Sequence, residues 1–119
     1  MNLGRMIEQI KQHPEYNKVG MILCHNGVVR STSRDGREVS GLRVAVNHEK
    51  LDWVIVENRQ KEGIIDIQVD IAENRDLNVG DDVMLLVVAG DIRENVIAVL
   101  RSTLEAVKTT VTRKTEYYI

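Results

Sequence analysis

The chain has 119 residues, 43% apolar and 29% charged, with 16 basic against 18 acidic side chains. That length makes one domain that buries roughly two-thirds of its unfolded surface, and a net charge of −2 gives no field to draw a polyanion or an anionic membrane. The longest apolar run, Val83–Ala89, is too short for a bilayer span, Met1–Arg5 lacks the apolar stretch of a secretory leader, and a lone Cys24 suits a reducing cytoplasm.

Phe is absent, so the core must come from Val, Ile, Leu and Met. Leu3, Met6, Ile7 and Ile10 recur at helical spacing, with Asn2 as N-cap and Pro14 beyond the end. Val19–Cys24 is a continuous apolar run of strand length, which Val28 and Val29 could continue as far as Arg30. Ser31–Arg37 is polar, and its Asp35-Gly36 signals a turn between two extended segments. Leu42, Val44 and Val46 alternate as in a strand. His48–Lys61 has an Asn47 cap, Glu49 in its first turn and Arg59 and Lys61 in its last, which favours a helix. Its β-branched Val54-Ile55-Val56 would also suit a strand, and Gly63 stops it either way.

Ile65, Ile67, Val69 and Ile71 alternate with Asp66, Gln68 and Asp70, a strand with one solvent face. Glu73–Asp82 is a polar connection containing Gly80, and Val83–Val88 is apolar on both faces, as a central strand is. From about Arg93 to Thr110 a helical stripe runs through Val96, Ile97, Leu100, Leu104 and Val107. The tail, Val111–Ile119, is β-prone. No linker, repeat or low-complexity tract interrupts this order, so residues 1–119 read as a single α+β domain, an antiparallel or mixed sheet with packed helices.

The chain has no phosphate-binding loop, dinucleotide fingerprint or paired-cysteine zinc spacing, and its three histidines share no helix face, so neither cofactor nor metal is expected. Cys24 and His25 are strand neighbours whose side chains diverge, which favours a buried structural cysteine over a thiol–imidazole pair. Asp66 and Asp70 fit a solvated face better than a catalytic pair. Cations are more informative. Arg30 ends a strand, Arg93 opens the last helix, Lys108 lies near its end, and Arg113 and Lys114 follow. Lys108 there also complements the helix dipole and tail cations are often merely solvated. Grouped around a cleft, such cations would suit a phosphorylated small molecule.

In order and spacing these residues resemble the large, catalytic subunit of molybdopterin synthase, from about Val19 to Glu116. Gly27-Val28-Val29-Arg30 is similar to the family's Gly-x-Val-Arg, and Gly36, Val39 and Leu42 follow in its rhythm. Val79-Gly80-Asp81 resembles its Pro-Gly-Asp turn before a buried strand, and Asp91-Ile92-Arg93 stands where the family has a small residue and His-Arg. Lys108-Thr109 falls at the spacing of the catalytic lysine, and Arg113-Lys114-Thr115-Glu116 resembles the closing Trp-Lys-x-Glu. Here Ile92 replaces the histidine, His-Arg-x-Gly is reduced to Asn74-Arg75, and the Pro-x-Trp before the second lysine is missing.

The resemblance implies an α/β-hammerhead fold and a cytoplasmic sulfurtransferase of molybdenum cofactor biosynthesis. Its donor is the thiocarboxylated C-terminus of a ubiquitin-like small subunit, its acceptor cyclic pyranopterin monophosphate, and its assembly a homodimer carrying two small subunits, a heterotetramer. Lys108 and Lys114 would be catalytic, Lys108 beside the incoming C-terminal glycine. Arg30, Arg93 and Arg113 would bind substrate, with Arg30 and Lys114 on the phosphate. Arg93 and Lys108 stand fifteen residues apart along one helix, roughly 22 Å at 1.5 Å per residue. A site using both therefore takes Arg93 from a second subunit. Two other readings remain open: a catalytically degenerate homologue acting as a binding or structural subunit, and an unrelated α+β dimerisation module.

Overall fold

A computed structural model describes all 119 residues, in an elongated body of 49 × 25 × 24 Å. Helix α1 (Leu3–Lys11) starts where the Asn2 side chain accepts the Arg5 N–H. One 3₁₀ turn, Tyr16–Lys18, leads into β1 (Met21–Val28), then β2 (Val39–Val46) and α2 (His48–Arg59). The strand alternative for the last segment is excluded: Asn47 Oδ1 accepts the Lys50 N–H at 3.1 Å, and Leu51, Val54 and Asn58 form one buried stripe. Then come β3 (Ile64–Ile71), β4 (Leu77–Asn78), β5 (Asp82–Gly90), α3 (Arg93–Ala106), a π-helical turn (Val107–Val111) and β6 (Thr112–Tyr118).

All pairings are antiparallel, in two sheets ordered β1-β5-β3 and β4-β2-β6. The apolar β5 is the centre of its sheet, as a strand buried on both faces must be. Its two faces feed separate clusters. Leu85, Val87 and Ala89 pack on Met6 and Ile10 of α1; Leu86 and Val88 pack with Ile67 on Val96 and Val99 of α3. A third cluster joins the sheets, with Leu42 and Val44 of β2, Leu51 and Val54 of α2, and Val107 and Val111 of the π turn.

Three expectations change in detail. Cys24 is exposed, not buried: it lies on edge strand β1, opposite Val87, and the cluster under α1 takes in Ile22 of that strand but not Cys24. The polar 73–82 connection contains β4, because buried Leu77 turns inward and pairs with Leu42. The last helix ends its α-helical course at Ala106. The Thr109 and Thr110 hydroxyls donate back to the Glu105 and Ala106 carbonyls, a bond that competes with the helix ladder, and the chain widens into the π turn.

Candidate functional site: a cationic double cavity

Buried Val107 and Val111 anchor the π turn in the core, which leaves Lys108 between them to project outward. Lys114 stands opposite Val44 in the β2–β6 ladder, its Nζ 3.9 Å from Glu116 Oε1. Arg30 lies two residues past the end of β1. Its neighbour Val29 is buried and held twice, donating to the Asp81 carbonyl and accepting from the Gly80 N–H. The turn before β5 thus fixes where Arg30 leaves the sheet.

These three cations line one open cavity of about 610 Å³, together with Arg34, Ser33 and Glu116. A smaller cavity of about 270 Å³ adjoins it. Val44, Ile71, Val83, Met84 and Val107 give it apolar walls, and Lys108, Lys114 and Arg34 line it too. An apolar slot beside a cationic basin matches a flat ring system carrying an anionic group. Sequence spacing missed Arg34, because only the folding back of the 31–38 loop brings it here.

His25 is the second residue that spacing did not single out. It is half-buried on β1, with its Nε2 lying over Gly27, where a Cβ would stand 3.4 Å away. Burial, and then the positive charge of Lys108, push its pKa below the usual imidazole range. Asp66 is also less solvated than its alternation suggests: its carboxylate is paired with Arg59 at 3.1 Å and accepts the Ile67 N–H.

Arg93 and Arg113 lie elsewhere. Arg93 opens α3, at the far end from Lys108, on an exposed face with Glu94, Ile97 and Arg101, and its Nε is 3.2 Å from Glu94 Oε1. The junction ahead of it is tight. The Asp91 carboxylate accepts from the Asn95 amide and the Ile92 N–H, which hold its pKa low. Gly63, at φ 76°, packs so close that a Cβ would strike Asp91 and Asn95. Arg113 lines a separate cavity with Asn47, Lys50 and Thr109, since adjacent residues of β6 face opposite ways. No three His, Cys, Asp or Glu side chains come together in a group that could hold a metal ion, and no helix is long and apolar enough to cross a membrane.

Comparison with known proteins adds the relatives. Residues 2–110 match the family model described as MoaE protein. Among solved structures, a molybdopterin synthase from Staphylococcus aureus matches with a TM-score of 0.74 at 20% identity, covering 91% of this chain and 85% of that one. A molybdopterin biosynthesis MoaE protein from Burkholderia ambifaria matches with a TM-score of 0.76 at 17% identity, covering 100% and 81%. A complex of subunits 1 and 2 of molybdopterin-converting factor from Helicobacter pylori matches with a TM-score of 0.71 at 15% identity, covering 99% and 84%. No curated protein sequence matches. At these identities the structures establish the shared α+β fold, and the family model, spanning nearly the whole chain, establishes the lineage: the chain belongs to the MoaE protein family, that of the molybdopterin synthase large subunit.

Proposed function

We propose that this chain is the catalytic subunit of a molybdopterin synthase, moving sulfur from a thiocarboxylated ubiquitin-like small subunit to cyclic pyranopterin monophosphate. One observation carries the reading beyond family membership: Arg30, Lys108 and Lys114, from three separate elements, converge on a cationic basin joined to an apolar slot. The slot suits the pterin rings and the basin the phosphate. Lys108 lines both the slot and the basin, and in this reading it stabilises the negative charge that develops where the thiocarboxylate meets the ring. Lys114 and Arg30 hold the phosphate. The Helicobacter pylori relative is a complex of two subunits, and a small-subunit partner of that kind supplies the sulfur here. The single, unpaired Cys24 suits a reducing cytoplasm as the setting.

Lys108→Ala tests the reading. With a thiocarboxylated small subunit, the variant should lose about a hundredfold or more in turnover, while dimer formation and small-subunit binding stay as in the wild type. Undiminished product formation would remove Lys108 from the mechanism. A second reading rests on Ile92, 54% exposed where the resembling pattern has histidine: a degenerate homologue that binds the small subunit without transferring sulfur. Wild-type protein that binds the partner and forms no product would establish it.

A further inference from the structure

The polar loop after Arg30 is a folded arm. Thr32 and Glu38 form an isolated antiparallel bridge, and the Val39 N–H donates to the Ser31 carbonyl at 2.9 Å. At its tip the Gly36 N–H donates to the Ser33 carbonyl, closing a tight turn over Arg34 and Asp35, with Gly36 at φ 85°. Ser33 is only 7% exposed, and its Oγ accepts the Arg37 N–H at 3.1 Å while its hydroxyl engages the Asp35 carboxylate. The return limb is fastened to the end of β6: the Arg37 guanidinium lies 3.5 Å from the Tyr118 ring centroid, and the Ile119 N–H donates to the Glu38 carbonyl.

Of the three charged side chains from Arg34 to Arg37, two are engaged within the chain. Asp35 is taken by Ser33 and Arg37 by Tyr118, whereas Arg34 has neither an ion pair nor a side-chain hydrogen bond. Only Arg34, Lys108 and Lys114 line both the apolar slot and the cationic basin. An unengaged guanidinium on a braced turn, at the seam of two cavities, is placed to bind an oxyanion bidentately without a large ordering cost.

We propose that Arg34 is a substrate-binding residue of this chain, gripping the phosphate of the pterin where the slot opens into the basin. The inference rests on the reading of the double cavity as the pterin-phosphate site. Ser33 and Arg37 then serve to hold the arm in its gripping position. Arg34 supplies the guanidinium from within the same chain as Lys108, independently of anything a second subunit adds.

The test is calorimetric binding of cyclic pyranopterin monophosphate to the full-length chain, beside steady-state kinetics with the thiocarboxylated small subunit. Arg34→Ala should weaken substrate binding and raise KM about tenfold or more, with kcat changed much less and the melting temperature unmoved. Arg34→Lys should recover part of the loss, since it keeps the charge without the fork. Arg5→Ala, on the outside of α1, is the surface control. Unchanged binding in Arg34→Ala, with Lys114→Ala weakened, would overturn the role of Arg34 and leave the cavity assignment standing. Unchanged binding in both variants, or none in the wild type, would overturn the cavity assignment and the role of Arg34 together.

Discussion

His25 and Lys108 are coupled through charge. The imidazole is half-buried on β1, and both desolvation and the nearby ammonium disfavour its protonated form. Removing the ammonium in Lys108→Ala leaves the desolvation in place, so the His25 pKa should rise toward the ordinary imidazole value without fully reaching it. An NMR titration of the ring protons in both proteins measures this directly. An unshifted His25 would mean that the two groups do not sense each other. The sign for stability follows from the same shift. The folded state binds the His25 proton less readily than the unfolded chain, so this contribution falls as pH drops through about 6.5 and below. That Arg30, Lys108 and Lys114 line one cavity was legible only through the resemblance in order and spacing, since periodicity alone reads them as solvated or dipole-complementing cations and Lys114 lies within β6. Arg34 and His25 were not legible. One depends on a loop folding back through Ser33, the other on the direction in which a ring leans along its strand, and residue spacing records neither.

Three elements could be read from the chain for different reasons: α1 because burial of one face spaces Met6 and Ile10, β5 because burial of both faces gives a continuous apolar run, and β6 from its β-prone composition. Two could not. The π turn arises from local hydroxyl back-bonding by Thr109 and Thr110, and β4 is two residues long inside a polar stretch. That short strand is nevertheless structural. Gly41 of β2 lies so close to β4 that a Cβ there would strike the Leu77 carbonyl oxygen, and backbone cannot yield as a flexible side chain can. Gly41→Ala should therefore force β4 off the sheet edge and disturb buried Leu77, at a cost of about 1–3 kcal/mol. Urea denaturation should show the lower midpoint, and an unchanged midpoint would mean that β4 pairing is dispensable. Because β2 also pairs with the strand carrying Lys114, the same variant should weaken binding of the pterin substrate.

At the scale of the molecule, the length of α3 separates what the proposed chemistry would bring together. Arg93 heads α3 and Lys108 follows its other end; Arg93 faces one cavity with Glu94 and Arg101, whereas Lys108 lines the slot and the basin. A two-fold dimer solves this geometrically, since an isologous arrangement that carries Arg93 of one protomer to the Lys108 cavity of its partner also does the reverse. Each dimer then holds two composite sites. Arg93→Ala damages both sites of its homodimer, as does Lys108→Ala, so each variant alone should be inactive. A heterodimer of the two concentrates both lesions in one site and leaves the other with intact Arg93 and intact Lys108. After free subunit exchange in an equal mixture, half of the dimers are heterodimers with one working site of two, so activity should return to about a quarter of the wild-type level. Native mass spectrometry establishes that heterodimers have formed, and the sulfur-transfer assay reads the recovery. Heterodimers without activity would overturn the sharing of one site between two subunits, whereas an active Arg93→Ala homodimer would place Arg93 outside the site and leave the Arg30, Arg34, Lys108 and Lys114 cluster to bind substrate within a single chain.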